Sequence, residues 1–278
     1  MKVLILGSKG MLGGQLMKVF DNEAVGWDRG DADVTEFKDL KLKIEKLKPA
    51  VIINCVAYND VDGAEDNRQA AFKLNADVPG ELAKICKNSD IVLVHFSTNY
   101  VFDGEKGEYK ETDLPNPLGV YAKSKYRGEL EIQKIGGKFY IIRTAVLFGP
   151  KGESELSKKS FVELMFDKSG KTDTIKLVDD EISSVTYAVD LAVQVKILLE
   201  MGKPLGIYHI TNSDSASWYD FAREIFNITG KKVNLESVSS KTFPRKAPRP
   251  KKTVLLNTKL PKLRPWQEAL KEFLISNF

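Results

Sequence analysis

Short apolar runs alternate with amphipathic stretches along the first 150 residues of the chain. A short apolar run is typical of a strand buried on both faces of a parallel sheet, and apolar positions three and four residues apart are typical of a helix. The predicted strands cover residues 3–6, 24–27, 50–56, 91–96 and 139–148, and the predicted helices cover residues 14–20, 37–47, 70–87 and 121–135. This alternation predicts an α/β protein with a Rossmann-type doubly wound parallel sheet and right-handed crossovers.

The pattern changes after Pro150, where the polar segment 151–159 is expected to be a mobile excursion. The elements predicted beyond it are a helix over 186–199, a strand over 206–211, and helices over 218–228 and 266–274. The predicted division is residues 1–149 and 184–212 for a dinucleotide-binding domain, and residues 150–183 and 213–278 for a smaller C-terminal substrate-binding lobe.

The 278 residues include 42 basic and 38 acidic side chains, which give a formal net charge of +4. This near balance argues against a nucleic-acid partner, because such binding needs a concentrated basic surface. Cys55 and Cys86 lie in predicted core elements and are too few for a disulfide framework. No apolar run approaches the roughly 20 residues of a membrane span, and the N-terminal run is too short for a signal peptide. We therefore expect a cytoplasmic protein with no nucleic-acid or membrane partner.

A glycine-rich turn follows the first predicted strand. Gly7, Gly10 and Gly13 would let backbone N–H groups approach a pyrophosphate, and the helix that follows would add the partial positive charge of its N-terminus. Tight turns also use glycine, but the position between strand and helix favours dinucleotide binding. Met11 and Leu12 lie within this turn and are assigned to the cofactor site with it.

The second predicted strand ends at an acidic residue. Asp28 follows Gly13 by fifteen residues, and a carboxylate there can accept hydrogen bonds from an adenosine ribose. Arg29 follows and could instead contact a 2′-phosphate, so the pair leaves the choice between NADH and NADPH open. An ordinary surface turn is the alternative for both residues. Asp33 and Val34 are expected to flank the adenine.

The candidate chemistry lies after the fourth predicted strand and at the start of a later helix. Tyr121 and Lys125 are four residues apart and share one helical face. The Lys125 ammonium would lower the pKa of the Tyr121 phenol, which could then donate a proton to a carbonyl as hydride arrives. Thr98 could give the same oxygen a second hydrogen bond, and Phe96, at the strand end, is assigned to the cofactor site. Tyr-x-x-x-Lys alone also fits a solvated helix face.

Six basic residues lie between Lys241 and Lys252 with no acidic residue among them. This Pro-rich basic segment could close on the pyrophosphate of a substrate, where an arginine offers a bidentate fork. Arg249 is the residue singled out for that contact. A solvated loop is the alternative for the rest of the segment.

Longer stretches of the chain resemble the dTDP-4-dehydrorhamnose reductase family of extended short-chain dehydrogenases/reductases. The resemblance covers nearly the whole length. The matching segments are Asn54–Glu65, Leu74–Gly80, Ser97–Gly104, Val178–Glu181, Tyr187–Ala192 and Pro248–Thr253. The resemblance implies an enzyme that uses NADPH or NADH to reduce the 4-keto group of a nucleotide-linked deoxysugar, with dTDP-4-dehydro-L-rhamnose as the expected substrate and dTDP-L-rhamnose as the product.

The resemblance also implies roles for individual residues. Tyr121 would protonate the sugar oxygen, Lys125 would hold the nicotinamide ribose, and Thr98 would hydrogen-bond the reacting carbonyl. The residues that would line the cofactor after the third strand are Ala57, Tyr58 and Asn59. The residues that would bind the substrate are Thr98, Asn99, Tyr100 and Arg249.

Three positions depart from the family pattern. The family usually has Asp where this chain has Asn99, and it tends to carry Trp where this chain has Val146. Some members use an acidic residue at the position of Gln15 in a magnesium-linked dimer contact. A neutral amide is a poor magnesium ligand, so we predict no metal site, and a homodimer remains an assembly to be tested.

Two other functions fit the same residues. A regulatory subunit of methionine adenosyltransferase resembles this family, and it binds NADP(H) and a partner enzyme rather than turning over a sugar. The intact Thr98, Tyr121 and Lys125 favour catalysis over that role. The other alternative is a reductase or epimerase of a related sugar nucleotide, such as a UDP or GDP sugar.

Overall fold

The computed structural model describes residues 1–154 and 159–277 of the chain. Its strands are β1 (Val3–Leu6), β2 (Ala24–Trp27), β3 (Val51–Asn54), β4 (Val92–Thr98), β5 (Gly107–Tyr109), β6 (Phe139–Thr144), β7 (Leu147–Phe148), β8 (Thr174–Val178), β9 (Ile182–Ser184), β10 (Thr186–Tyr187), β11 (Gly206–His209), β12 (Ser215–Ser217), β13 (Asn234–Val238) and β14 (Lys252–Leu255). Its α-helices are α1 (Met11–Phe20), α2 (Phe37–Leu47), α3 (Gly63–Asp66), α4 (Arg68–Phe72), α5 (Val78–Asn88), α6 (Val120–Ile135), α7 (Phe161–Ser169), α8 (Ala188–Glu200), α9 (Trp218–Thr229) and α10 (Trp266–Asn277). Across these described ranges, no helix has the length and apolar character needed to cross a membrane.

Six parallel strands form the central sheet in the order β11-β6-β4-β3-β1-β2. Helices α1 and α8 cover one face, where Leu16 and Val195 pack with Ile5 of β1. Helices α2, α5 and α6 cover the other face, where Leu40 and Ile132 belong to one buried cluster. Strands covered on both faces are mostly apolar, which is why they appear as nearly continuous apolar runs. The Rossmann-type doubly wound sheet predicted from the sequence is confirmed.

The strand order places a ligand crevice at the centre of this sheet. The chain passes from β1 to β2 on one side and then returns to add β3 on the other side. In open α/β sheets, ligands bind outside the carboxyl ends of the strands where the order reverses in this way. The crevice therefore lies beside Gly7, which follows β1, and Cys55, which follows β3.

The predicted strand over residues 139–148 is two strands in the structure. β6 ends at Thr144, and Val146 has a φ of 37°, a left-handed conformation that is unusual for a β-branched residue. The chain turns there, and β7 leaves the central sheet to pair with β10. The helix predicted from residue 186 begins at Ala188 instead, because the two preceding residues form β10.

The predicted helix over residues 70–87 is also divided. A π-helical turn over Lys73–Asp77 separates α4 from α5. Pro79, which has no N–H to donate, lies in the first turn of α5 directly after this π-helical turn. The turn brings Asn75, which is fully buried, towards the crevice.

A second hydrophobic core lies between α7, α9 and α10. Phe148 of β7 packs against Phe221 and Phe273, and Trp266 packs edge-on against Phe221 with ring centroids 5.4 Å apart. A four-stranded sheet in the order β12-β9-β14-β5 includes β5 from the N-terminal part of the chain. This sheet joins the two parts of the molecule, and the exact division into two domains stays a prediction.

Candidate active site

The glycine-rich turn has the shape of a pyrophosphate cradle. Gly7 adopts a φ of +76°, and its N–H donates to the carbonyl of Trp27 at the end of β2. A Cβ atom at Gly13 would lie 2.1 Å from the Gly7 carbonyl oxygen, so only glycine allows this close packing of helix on turn. Gly10 is the N-cap of α1 and offers no side chain to the free N–H groups of the first turn. These N–H groups fit the phosphates of a dinucleotide.

Met11 and Leu12 contribute to this turn differently. Met11 is partly exposed at the start of α1, whereas the Leu12 side chain packs into the core beneath the turn. Gly152 lies against the turn from outside, since a Cβ there would be 2.5 Å from the Lys9 carbonyl oxygen. The N–H of Ser154 donates to that same oxygen. This part of the segment expected to be mobile therefore packs on the turn, while residues 155–158 lie outside the described residues.

The residues predicted to contact the adenosine lie around the end of β2. Asp28 is partly buried, and Arg29 beside it is exposed. The Asp33 carboxylate accepts hydrogen bonds from the backbone N–H and hydroxyl of Thr35, which lower its pKa. Val34 is buried in the core on one face of the sheet. The adenine and ribose contacts of these residues stay predictions.

The segment after β3 is held by a residue that the sequence analysis did not assign to the site. Ala57 and Tyr58 are partly buried and Asn59 is exposed. The Asn75 side chain accepts a hydrogen bond from the Tyr58 N–H at 2.8 Å and donates to the Tyr58 carbonyl at 3.1 Å and to the Ser124 hydroxyl at 2.9 Å. Asn75 thereby fixes this segment against α6. Its only sequence signal was its place in one of the segments that resemble the family.

The structure brings the three predicted catalytic side chains together at the carboxyl end of β4. Thr98 is the last residue of this strand, which extends two residues beyond its predicted end. The Thr98 hydroxyl acts on the Tyr121 phenol as a hydrogen-bonding group that lowers its pKa. The Lys125 ammonium donates to the Phe96 carbonyl at 2.6 Å, and the ring of Tyr100 meets that of Tyr121 edge-on at 6.2 Å.

The electrostatics of this group differ from the expectation in one respect. The sequence predicted that Lys125 lowers the pKa of Tyr121, but burial raises that pKa to about 12, and the hydrogen bond with Thr98 opposes the rise only in part. The Lys125 ammonium is directed at the Phe96 carbonyl instead. Burial also lowers the pKa of Lys125 to about 8, against the attraction of Glu129 and Cys55. The phenol is therefore protonated at neutral pH, as a proton donor must be.

Asn99 has a structural role that its predicted contact with substrate did not include. Its amide nitrogen donates to the hydroxyls of Ser183 at 3.0 Å and Thr253 at 2.7 Å, and its oxygen accepts from Thr98 at 3.3 Å. These bonds tie the end of β4 to β9 and β14. An aspartate has no N–H groups to donate to the two hydroxyls. Because each hydroxyl can also donate, an aspartate could accept from both of them, so the two contacts fit the amide and the family's usual acid alike.

Much of the basic segment is folded onto acidic partners rather than left in solvent. Arg245 makes a bidentate ion pair with Glu181. Arg249 donates to Asp62 at 2.8 Å, and the Ala247 N–H donates to the other oxygen of the same carboxylate at 3.0 Å. Burial raises the pKa of the Asp62 carboxyl, but the contacts with Ala247 and Arg249 lower it further, so the pKa lies below its usual range. The solvated-loop alternative therefore does not describe Arg245 and Arg249.

A cleft lies between the site and the second core. Its wall includes Tyr100 from the end of β4, Val146 from the turn after β6, and Trp218 from the start of α9. Ser183 and Thr253, the partners of Asn99, also line it. Tyr100 is the link between this small cleft and the catalytic side chains, because its ring also meets that of Tyr121.

Fold and site together define the class of the protein. A Rossmann-type sheet carries a glycine-rich turn on the same edge as a Tyr-x-x-x-Lys helix and a threonine, the arrangement of the short-chain dehydrogenases/reductases. A family model described as the RmlD substrate binding domain matches residues 1–277. The chain belongs to the dTDP-4-dehydrorhamnose reductase family.

Similar proteins agree with this assignment. The dTDP-4-dehydrorhamnose reductase of Aggregatibacter actinomycetemcomitans is 37% identical over 292 residues, which cover 97% of each chain. The enzyme of the same name from Streptomyces griseus is 34% identical, with 97% of this chain and 91% of the relative covered. The crystal structure of dTDP-4-dehydrorhamnose reductase from Bacillus anthracis in complex with NADP has a TM-score of 0.94 at 33% identity and covers 100% of both chains. The family resemblance is confirmed, and the regulatory-subunit alternative is not favoured.

Proposed function

We propose that the protein reduces the 4-keto group of a nucleotide-linked deoxysugar, namely dTDP-4-dehydro-L-rhamnose, with NADPH or NADH. The observation that carries the proposal is the meeting of Thr98, Tyr121 and Lys125 at the carboxyl end of β4, on the same sheet edge as the glycine-rich turn. The relatives named above give the substrate class its support.

A bound reduced nicotinamide would supply the hydride for the carbonyl carbon. Tyr121 donates its phenolic proton to the carbonyl oxygen, and the Thr98 hydroxyl gives that oxygen a hydrogen bond that strengthens as negative charge develops. Because the pKa of Tyr121 is raised to about 12, the proton to be donated is present throughout the neutral range. Solvent returns a proton to the phenolate after the alcohol has formed.

Lys125 acts as the cation of the site. Its ammonium donates one hydrogen bond to Phe96 and has two further N–H groups for the hydroxyls of the nicotinamide ribose. As a positive charge on the same helical face, it also stabilises the Tyr121 phenolate as the proton leaves. This role requires the protonated amine, so we expect activity to fall as the pH rises above about 8, the pKa to which burial lowers this group.

The proposal extends to the compartment and the assembly. We place the protein in the cytoplasm, because an enzyme there would meet reduced nicotinamide cofactors and nucleotide sugars. The free thiols of Cys55 and Cys86 agree with this compartment. A homodimer stays a prediction, which sedimentation of the purified protein tests.

An enzyme assay tests the proposed function. Purified protein is mixed with NADPH or NADH and with dTDP-4-dehydro-L-rhamnose generated in place, and the loss of reduced-cofactor absorbance is followed. We expect turnover with the dTDP sugar, and UDP and GDP sugars in parallel reactions measure the selectivity for the base. Cofactor binding without turnover of any sugar would reject the reductase and support the regulatory alternative.

Arg249 is expected to set the affinity for the substrate diphosphate. Replacement of Arg249 by glutamine removes a bidentate, charge-assisted contact, so we expect KM for the nucleotide sugar to rise about 10-fold or more with kcat within a few-fold. Lys246→Gln is the matched control, because this residue belongs to the same segment but forms an exposed ion pair with Asp66. Equal effects of the two substitutions would show that Arg249 acts only through the fold of the segment.

A further inference from the structure

An ion pair of unusual burial lies beneath the catalytic helix. Glu129 of α6 and Arg143 of β6 are 0% and 1% exposed. The Arg143 Nε donates to one carboxylate oxygen at 3.0 Å, and its Nη2 donates to the other at 2.6 Å. Removing two charges from water is so unfavourable that an apolar pair of similar volume is often equally stable. The pair therefore calls for an explanation other than stability.

Glu129 is one helical turn beyond Lys125. Residues four apart lie on the same face of a helix, and both side chains are buried, with Lys125 only 3% exposed. The carboxylate attracts the Lys125 ammonium and opposes the lowering of the lysine pKa by burial. Arg143 holds the carboxylate at both oxygens, which fixes its position relative to the amine.

The other titratable groups around Lys125 carry no compensating charge. The Cys55 thiol, after β3, is neutral because burial raises its pKa. His95, on β4, is neutral because burial and the Lys125 ammonium lower its pKa, and Tyr121 is a neutral phenol. Within the part of the chain that the structure describes, the carboxylate acting on Lys125 is that of Glu129.

Beyond the ion pair, the same face of the sheet continues with β11. His209 is buried there, and burial together with the Arg143 guanidinium lowers its pKa to about 4. The carboxylate of Glu111 accepts hydrogen bonds from the N–H and hydroxyl of Thr258. The charged side chains across this face are therefore, in order, those of Lys125, Glu129, Arg143 and Glu111. The two histidines are neutral at neutral pH.

We propose that Glu129, held by Arg143, is a positioning residue that keeps the Lys125 ammonium charged for the nicotinamide ribose and the Tyr121 phenol. This inference rests on the proposed function for the role of Lys125, and it adds the reason that a lysine buried to this degree stays protonated. Glu129 itself touches neither substrate nor cofactor.

The test is the pH dependence of kcat/KM in the Glu129→Gln variant. Glutamine keeps the shape of the side chain and removes its charge, so Lys125 loses its proton at lower pH. We expect the alkaline decline of activity, set by Lys125 at about pH 8 in the wild type, to move down by about one pH unit or more. At pH 6, where the amine is protonated in both proteins, the rates are expected to differ much less.

A second variant guards against loss of the fold. Glu129→Gln leaves the Arg143 guanidinium buried without its counter-ion, which is strongly destabilising. The double variant Glu129→Met with Arg143→Met removes both charges and is expected to fold, with a downward shift of the alkaline limb that is smaller than in Glu129→Gln because the uncompensated Arg143 cation is gone. The matched control is Asp190→Asn, which breaks another bidentate carboxylate–arginine pair, with Arg264 at 2.9 Å, far from Lys125. The control is expected to lower thermal stability and leave the limb unchanged.

The outcomes separate this inference from the proposed function. A folded double variant whose alkaline limb coincides with that of the wild type overturns the role of Glu129. The pH dependence of NADPH affinity is measured on the same proteins, because the Lys125 contact with the ribose needs the charged amine. A wild type that binds NADPH but reduces no sugar contradicts the function alone, and a downward shift in the NADPH binding limb of the variants still supports the role of Glu129.

Discussion

Replacement of Tyr121 by phenylalanine is expected to lower kcat for sugar reduction by about 10²–10⁴-fold. The substitution removes one hydroxyl, which is the proton donor, and leaves the ring that packs edge-on against Tyr100. The Thr98 hydroxyl keeps its contact with Asn99. Since the cofactor contacts that we assign to the glycine turn and to Lys125 stay in place, the Kd for NADPH is expected to change only a few-fold.

Steady-state kinetics and a fluorescence titration with NADPH check this expectation. Tyr126→Phe is the matched control, because Tyr126 lies on the same helix but packs against a separate cluster around Phe102. It is expected to keep near wild-type activity. A fully active Tyr121→Phe enzyme would mean that another group protonates the sugar oxygen. A loss of NADPH affinity equal to the loss of kcat would show that Tyr121 serves binding rather than proton transfer.

Replacement of Gly13 by alanine is expected to abolish measurable NADPH binding and to lower the stability of the fold. The added Cβ would lie 2.1 Å from the Gly7 carbonyl oxygen and 2.9 Å from Cα of Ser8. Both atoms are backbone, so the strain is relieved only if α1 moves away from the turn. That movement displaces the N–H groups that form the pyrophosphate cradle.

Gly14 provides the matched control for this substitution. A Cβ at Gly14 would find its nearest neighbour, the Ser8 carbonyl oxygen, at 3.8 Å, which is ordinary van der Waals contact. Because alanine is favoured over glycine inside a helix by about 1 kcal/mol, Gly14→Ala is expected to keep its NADPH affinity and to unfold at a slightly higher urea concentration. Similar behaviour of the two variants would contradict the cradle geometry. The measurements are a cofactor titration and a urea unfolding curve on each protein.

The local parts of the site were predictable because their signals lie within a few residues. The glycine turn is a strand, three glycines and a helix in sequence order, and the pair Tyr121 and Lys125 is one helical turn. The central sheet was predictable for the same reason, since each buried strand is a continuous apolar run. Strand ends were less well predicted, as β4 continues to Thr98 and the run over 139–148 is cut at Thr144. Those ends depend on pairing with other strands.

The contacts that hold the site together join residues far apart in sequence. Asn99 and Thr253 are separated by 154 positions, and Arg249 and Asp62 by 187. No periodicity relates such positions, and each polar side chain alone fits a surface as well as a buried bond. The supporting roles of these residues therefore became visible only when the chain was folded.

The sequence by itself predicted the strands and helices of the central sheet, and it supplied the proposals for the cofactor turn and the reacting side chains, because these depend on local spacing and on residue type. The tertiary structure decided the electrostatics. It buries Tyr121 so that its pKa rises to about 12 instead of falling, and it sets the Glu129–Arg143 pair beneath Lys125. The physical reason is desolvation, since the charge of a group depends on how much water and which partners surround it, and both are fixed by distant parts of the chain.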